Sequence, residues 1–401
     1  MTLPFSNPVP AEKLSPVPEQ PFAFRNSNRL ICAKGPVQQI ARGPSTTIGD
    51  RVAGFFAGPK DGAIMGGALP FDNSAEDYLW HAKDAEGTWL PDMKRPAPVI
   101  PATAAAAPRS EPLARDYMQM VSRALDILRA EEKRPDGLSK IVLARTLLLQ
   151  QPQNIILADV LQQLAEDTSV TAFQVALPPR AGDVAPRALV GATPELLLRK
   201  RGAAISSHPL AGSAKRLEDS TADAAAAHDL SRSDKDRHEH ALVVEYILDT
   251  LAPYCHQLGA PDGTTLTTTR SMWHIGTFIE GILKDPETPA IVLASLLHPT
   301  PAVCGLPCQR SADLIRDLEP VSRDFYAGAV GWCDRQGDGA WYVAIRCAEI
   351  CGAQARLYAG AGIVLGSEPY AEAAETGAKF GALLAAFGLP RDAALHELEQ
   401  L

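Results

Sequence analysis

The chain has 401 residues, enough for one large buried core or for two domains. A formal net charge of −9 and a pI near 5.5 exclude a general affinity for nucleic acid or for an anionic lipid surface. With 46% hydrophobic and 21% charged residues, the composition excludes a disordered or fibrous chain.

Residues 1–20 are polar and Pro-rich and are expected to form a loose arm. No basic segment followed by an apolar run occurs there, and no stretch approaches the length of a membrane span. A cytoplasmic, monomeric protein is expected, with no nucleic-acid or membrane partner.

Residues 29–94 read as short strands with turn punctuation, since RLICAKG, RVAGFFAG and AIMGGALPFD each end in Gly, Pro or Asp. Residues 95–112 are Pro/Ala-rich and read as an exposed connection. Met118, Val121, Leu125 and Leu128 fall at helical spacing and predict a helix over 113–132. KIVLARTLLL, opening at Lys140, predicts a strand, and residues 157–166 a helix. FQVALPP and ALVGATPELLLRK predict strands about a turn at Ala192-Thr193-Pro194. Residues 223–252 read as one helix, SMWHIGTFIEGIL as one strand, and VLASLLH as a helix stopped by Pro299.

GAVGWCD, AWYVAIRCAEI and ARLYAGAGIVL are closely spaced strands of an antiparallel kind. A last helix is expected from Pro369 to Phe387, capped by Ser367 and ended by Gly388 and Pro390. Strands come in clusters with helices between the clusters. This predicts an α+β fold of stacked antiparallel β-sheets and not a βαβ layout.

Seven cysteines are scattered along the chain. Cys304 with Cys308, and Cys347 with Cys351, are C-x3-C pairs, but no histidine lies at zinc-finger spacing from either, so reduced buried thiols are expected.

Two helices carry acidic stripes. In SDKDRHEHALVVEYIL, Asp236 and Glu239 are three apart and share a face; near the C-terminus Glu372, Glu375 and Lys379 lie at i, i+3 and i+7. Each stripe alone reads equally as a solvated helix start, where acids suit the dipole, or as surface ion pairing. Together they suit Mg2+, which takes hard oxygen ligands, but spacing does not show that the helices converge. Gly360 and Gly362, in YAGAGIVLG, leave room for close approach of a ligand to backbone N–H groups. Arg346 falls mid-strand in an apolar run, where a charge is either paired or ligand-binding. Glu195, ahead of three leucines, has the apolar neighbours that raise a carboxyl toward the range of a general acid.

Taken together, KIVLAR, GATPELLLRK, HPLAGSAKR, SDKDRHEHALV, MWHIGT, LLHPTPAVCGLP, IRCAEI, RLYAGAGIV and EAAETGAKF are similar to the chorismate-utilising enzymes. That group contains isochorismate, salicylate, anthranilate and aminodeoxychorismate synthases. The stretches are colinear over about residues 138–389, and AIMGGALPFD resembles the N-terminal part of the siderophore-pathway isochorismate synthases. The resemblance implies stacked antiparallel sheets wrapped by helices. Residues 21–112 would form the N-terminal part of that fold and 113–401 the chorismate-binding catalytic region.

The resemblance also implies site roles. Glu239 and Glu375 would hold Mg2+ against the ring carboxylate of chorismate, with Asp236 and Glu372 ordering metal-bound water. Gly212, Ser213, Arg346, Lys379 and the backbone near Gly360 and Gly362 would bind substrate, and His274 would lie beside the ring.

Two positions divide the family. Ala211 stands where the resemblance places a nucleophilic lysine in aminodeoxychorismate synthases. Lys140 stands where water-adding members have lysine and ammonia-using members a non-basic residue. Water needs a general base and ammonia does not. The expected reaction is conversion of chorismate to isochorismate, with Lys140 as base and Glu195 as acid. HPTPAVCGLP resembles the isochorismate branch, whereas Tyr326 in DFYAGAV matches the salicylate formers.

Overall fold

Two nine-stranded sheets and one three-stranded sheet, all antiparallel, carry the chain. The computed structural model describes residues 18, 20–26, 29–59, 61–84 and 107–399. The arm expected over 1–20 lies outside the described residues except at 18 and 20, and the connection expected over 95–112 is described only from 107, where Arg109–Glu111 pairs into a sheet and is not an exposed link.

The first large sheet runs, in spatial order, through Gly305–Leu306, Lys140–Gln150, Gln354–Ile363, Cys347–Cys351, Arg187–Thr193, Thr171–Ala176, Phe22–Arg25 and Leu30–Cys32, with Arg109–Glu111 also paired to Lys140–Gln150. The second runs through Cys255–Gly259, Ile279–Leu283, Ala204–His208, Leu196–Arg201, Gly339–Val343, Ala329–Asp334, Ile64–Leu69, Tyr78–Asp84 and Lys34–Gln39. The small sheet holds Leu210–Lys215, Met272–Thr277 and Thr264–Thr268. Arg187–Thr193 and Ile64–Leu69 are buried at every position, which explains why they read as continuous rather than alternating apolar runs.

Nine helices among the described residues cover the sheets: α1 (Ile48–Phe56), α2 (Ala114–Glu131), α3 (Leu157–Leu164), α4 (Ser220–Arg232), α5 (Asp234–Leu251), α6 (Ala290–Leu297), α7 (Cys308–Leu318), α8 (Pro369–Lys379) and α9 (Gly381–Ala386). One core cluster reaches from Phe22 to Leu398. A second lies where α3 and α9 pack through Val160, Leu161, Leu164, Leu383 and Leu384 on Leu147, Ile350 and Leu357 of the first sheet.

Several local expectations change. RVAGFFAG is not a strand: it lies in α1, where Ile48, Val52 and Phe55 are buried at helical spacing. The helix expected over 223–252 is two, because Ser233 leaves helical backbone geometry (ψ 110°) and its hydroxyl accepts the Asp236 N–H at 3.2 Å. The cap of α8 is Glu368, whose carboxylate accepts the Ala371 N–H at 2.9 Å, while the Ser367 hydroxyl accepts the Val364 N–H instead. The last helix is divided at Phe380, whose ring is buried 5.7 Å from the Arg145 guanidinium.

SMWHIGTFIEGIL and AWYVAIRCAEI are each two strands belonging to different sheets, and Ala192-Thr193-Pro194 is likewise a passage between sheets rather than a hairpin turn. Periodicity looks the same whether a strand continues in its own sheet or enters another, since the backbone stays extended through the crossing. All seven cysteines are free thiols, with Cys308 and Cys351 only half-buried.

Candidate active site

Two crossings between the large sheets lie side by side. One passes from Arg187–Thr193 through Pro194 and Glu195 to Leu196–Arg201; the other passes from Gly339–Val343 through Arg346 to Cys347–Cys351. They are tied together where the Val343 N–H donates to the Glu195 carbonyl at 3.2 Å and the Ala192 N–H to the Arg346 carbonyl at 3.0 Å. Arg346 is therefore not mid-strand. It occupies the bend, with φ of 50°, a strained value for a non-glycine residue that marks functional sites more than core.

A second pair of crossings links the small sheet to the second large one at Pro209 and Phe278, where the Thr277 N–H meets the Pro209 carbonyl at 3.4 Å. This pair delivers Gly212, Ser213 and His274. All of these crossings converge on one cavity of about 70 Å³. Its wall includes Glu195, Gly212, Ser213, Glu239, His274, Arg346, Gly360, Gly362, Glu375 and Lys379. Lys140, Asp236 and Glu372 stand directly behind that wall.

The two acidic helices converge here. Lys235 on α5 binds the Glu372 carboxylate on α8, so the helices are bridged. Three glutamates of these helices each face a lysine: Glu372 with Lys235, Glu375 with Lys379 at 2.6 Å, and Glu239 with Lys140 at 3.0 Å. Lys140 is fully buried, and its Nζ makes the ion pair without hydrogen-bond alignment. Glu375 also accepts from the Ser213 hydroxyl at 2.7 Å. Burial pushes Glu375 up, but Lys379 and these hydrogen bonds outweigh it and hold the carboxyl below its ordinary range. Glu372 is pushed up by burial and then by Glu375. Its second oxygen has no partner.

Glu195 is pushed up to about 8, chiefly by burial, against the opposing pull of Lys140. A carboxyl in that state carries a proton near neutrality. His274 is pushed well below the ordinary imidazole value by burial and by Arg346 and Lys379, so its ring is neutral, and Nε2 is buried without a partner. Arg346 is pushed down to about 10 by burial, and its guanidinium has no ion-pair or hydrogen-bond partner among the described residues. An enclosed cation without a protein partner is an anion receptor.

Glycine at 360 and 362 also omits side chains. Both stand opposite Ala144 and Val142 in the ladder, but those two residues spend their own backbone groups on Cys304, Arg323 and Glu319, and the Gly360 carbonyl accepts from Lys379. The backbone groups of Gly360 and Gly362 therefore face away from that partner strand. A Cβ at 362 would sit 2.1 Å from Glu239 Oε1, and one at 360 would sit 3.0 Å from the Tyr326 hydroxyl. At Gly212, φ is +72° and a Cβ would meet Asp236 at 2.9 Å.

Sequence reasoning missed Lys235 and Tyr358. Tyr358 stacks on Tyr326 with ring centres 4.7 Å apart and helps to wall the cavity. The available signal was its period-two spacing from Gly360 and Gly362, which puts all three on one face of a strand.

A model of the family described as chorismate binding enzyme matches residues 70–388. The chain belongs to the chorismate-binding enzyme family. Among curated members, the isochorismate synthase DhbC of Bacillus subtilis is 38% identical over 92% of this chain and 94% of its own. The vibriobactin-specific isochorismate synthase of Vibrio cholerae is 36% identical over 92% of each. Among solved structures, a Bacillus anthracis protein assigned as a 2,3-dihydroxybenzoate-specific isochorismate synthase superposes with a TM-score of 0.83, at 36% identity, covering 92% of this chain and 97% of its own. Anthranilate synthase component I of Streptococcus pneumoniae, 18% identical with a TM-score of 0.62, shares the fold.

Within this family fold, the cavity wall is braced from behind. Arg323 is buried and donates to the Val303 carbonyl at 2.6 Å, to the Val142 carbonyl at 2.7 Å and to Glu319. Glu319 in turn accepts the Ala144 N–H at 2.8 Å. The strand carrying Lys140 and the loop carrying Ala302 and Val303 are thereby fixed to one ion pair. No helix among the described residues is long and apolar enough to cross a membrane.

Proposed function

We propose that this protein is a Mg2+-dependent isochorismate synthase, turning chorismate into isochorismate for a catecholate siderophore pathway. The observation that carries this reading is that Glu195, a carboxyl on the cavity wall pushed to about 8 by burial, shares the site with Lys140, held just behind that wall against Glu239. The relatives named above support it. So does Ala211 on the cavity wall, which offers no amine to form an adduct with the ring.

Among the described residues, no three carboxylate, imidazole or thiol groups already cluster as a ready-made metal cage. Mg2+ does not require such a cage, since one or two protein carboxylates hold it with water and substrate oxygens completing its shell. The donors fit: Glu239 and Glu375 line the cavity, and the unpartnered Glu372 oxygen lies behind it. Glu239 and Glu375 would hold the ion, with Asp236 and Glu372 reaching it through water. The ion would supply positive charge to the ring carboxylate.

This chain's own residues carry the remaining steps. Arg346, without a protein partner, binds a substrate carboxylate, and Lys379, which donates to the Gly360 carbonyl at 2.8 Å, adds a second cation. Lys140, which must act as the free amine and not as the ammonium of the Glu239 pair, takes a proton from water as the oxygen bonds to ring C2. The ring double bonds shift, the C4–O bond breaks, and Glu195 delivers its proton to the departing hydroxyl. Neutral His274 lies beside the ring without adding charge.

The test is to incubate purified protein with chorismate and Mg2+ and to separate the products. Isochorismate alone is expected. Salicylate with pyruvate is the second reading, favoured by Tyr326, whose ring lines the cavity where some isochorismate synthases have Phe. Anthranilate formed from added ammonia would overturn the assignment of Lys140.

A further inference from the structure

A second cleft, of about 90 Å³, adjoins the catalytic cavity and shares two wall residues with it, Pro194 and Arg346. Its surface joins small apolar groups, Ala382, Ala385 and Ala386 of α9, to guanidinium groups from two separate segments, Arg270 and Arg391. Arg270 lies in the loop that leads into the strand of His274, and Arg391 follows α9.

The cleft wall carries three arginines, Arg270, Arg346 and Arg391, against two acids, Glu166 and Asp167, and so keeps a net positive charge. Arg391 has no ion-pair or hydrogen-bond partner among the described residues. Arg270 meets Glu166 only at 3.5 Å, with both side chains more than half exposed, an arrangement that contributes little and exchanges readily. The other acid in the wall, Asp167, keeps its charge beside Arg270, but its oxygens accept from the Ser169 N–H, the Ser169 hydroxyl and the Arg270 backbone N–H and pair with no guanidinium among the described residues. The chain as a whole carries −9, so a dianion approaching from solvent meets a repulsive field nearly everywhere. Local cations at the approach are what such a substrate requires.

We infer that this cleft is an antechamber, in which Arg270 and Arg391 gather a small cyclic dicarboxylate and pass it to Arg346. Apolar alanines with flanking guanidinium groups suit a ring that carries two carboxylates. This rests on the proposed function for the substrate's identity. Arg346 serves both chambers, so a carboxylate held by Arg270 or Arg391 can exchange to Arg346 without returning to bulk water.

The test uses the full chain with chorismate and Mg2+ and the variants Arg270→Glu, Arg391→Glu and the double variant. The milder Arg270→Gln and Arg391→Gln guard against misfolding. Arg129→Glu, on the exposed part of α2, matches the change in net charge of each single glutamate variant at a site outside both chambers. At low ionic strength the double variant is expected to lose about tenfold in kcat/KM, carried by KM, with kcat within about twofold of wild type. The glutamine variants should lose less, and high salt should shrink every difference.

Wild-type kcat/KM in the double variant overturns the antechamber, as does a loss in Arg129→Glu equal to that of the single variants Arg270→Glu and Arg391→Glu. A loss confined to kcat also overturns it, because that would place the arginines in the chemistry. Absence of turnover by the wild-type protein would instead overturn the proposed function.

Discussion

Lys140 Nζ and Glu239 Oε1 face each other at 3.0 Å across space that Gly362 leaves open. The proposed base and the proposed metal ligand are thus held in register by an absent side chain. A Cβ at 362 would lie 2.1 Å from the carboxylate oxygen and 3.1 Å from Lys140 Cε. Gly362→Ala is expected to displace Glu239 and to lower turnover by about 100-fold. Overpacking should cost about 1–3 kcal/mol of stability, leaving the fold intact. Turnover and thermal unfolding, measured on the same preparation, check both.

Lys140→Ala removes the base and leaves Glu239 buried without its partner. Turnover should fall by at least ~100-fold while Mg2+ still binds. Stability without metal should fall by roughly 3–5 kcal/mol, the usual consequence of orphaning a buried charge. Added Mg2+ should therefore raise Tm more in this variant than in wild type. An equal rise in both would contradict the ion pair, and near-normal turnover would remove Lys140 from the chemistry.

Glu195 governs the alkaline limb. Its carboxyl must be protonated to donate, so kcat/KM is expected to fall as pH rises through about 8. Glu195→Gln should be inactive at every pH. The stability sign follows from the same shift. A carboxyl raised on folding contributes fully below the ordinary glutamate value of 4.5, and that contribution is lost as pH rises through about 8. Denaturant unfolding should show wild type losing ground to Glu195→Gln across that window.

Arg346→Ala should raise KM for chorismate about 30-fold or more, the lower end of what truncating a buried charged contact costs. Steady-state kinetics give the number. A rise below about threefold would mean that the guanidinium does not hold a substrate carboxylate.

Glu239→Gln should raise the Mg2+ requirement by more than ~10-fold, read by calorimetric metal titration in the absence of substrate. An unchanged affinity would remove Glu239 from the metal's shell.

The sequence by itself determined the class of fold and the family, and it singled out Glu195, Lys140 and both acidic stripes as candidates for the site. Clustered strands without intervening helices exclude a βαβ layout, and the colinear motifs fix the family. It did not determine that the acidic helices meet, because a helix carries no record of its distance from another helix. That convergence depends on packing, through Lys235 bridging to Glu372 and Gly212 making room for Asp236.

Sequence was also blind to the crossings. SMWHIGTFIEGIL, AWYVAIRCAEI and GATPELLLRK keep an extended backbone while changing sheets, and alternation of side chains looks the same on either side of the change. Tertiary structure alone decided that Glu195, Arg346 and His274 sit on or beside such crossings, where strand edges leave the ladders and side chains can enter a shared cavity.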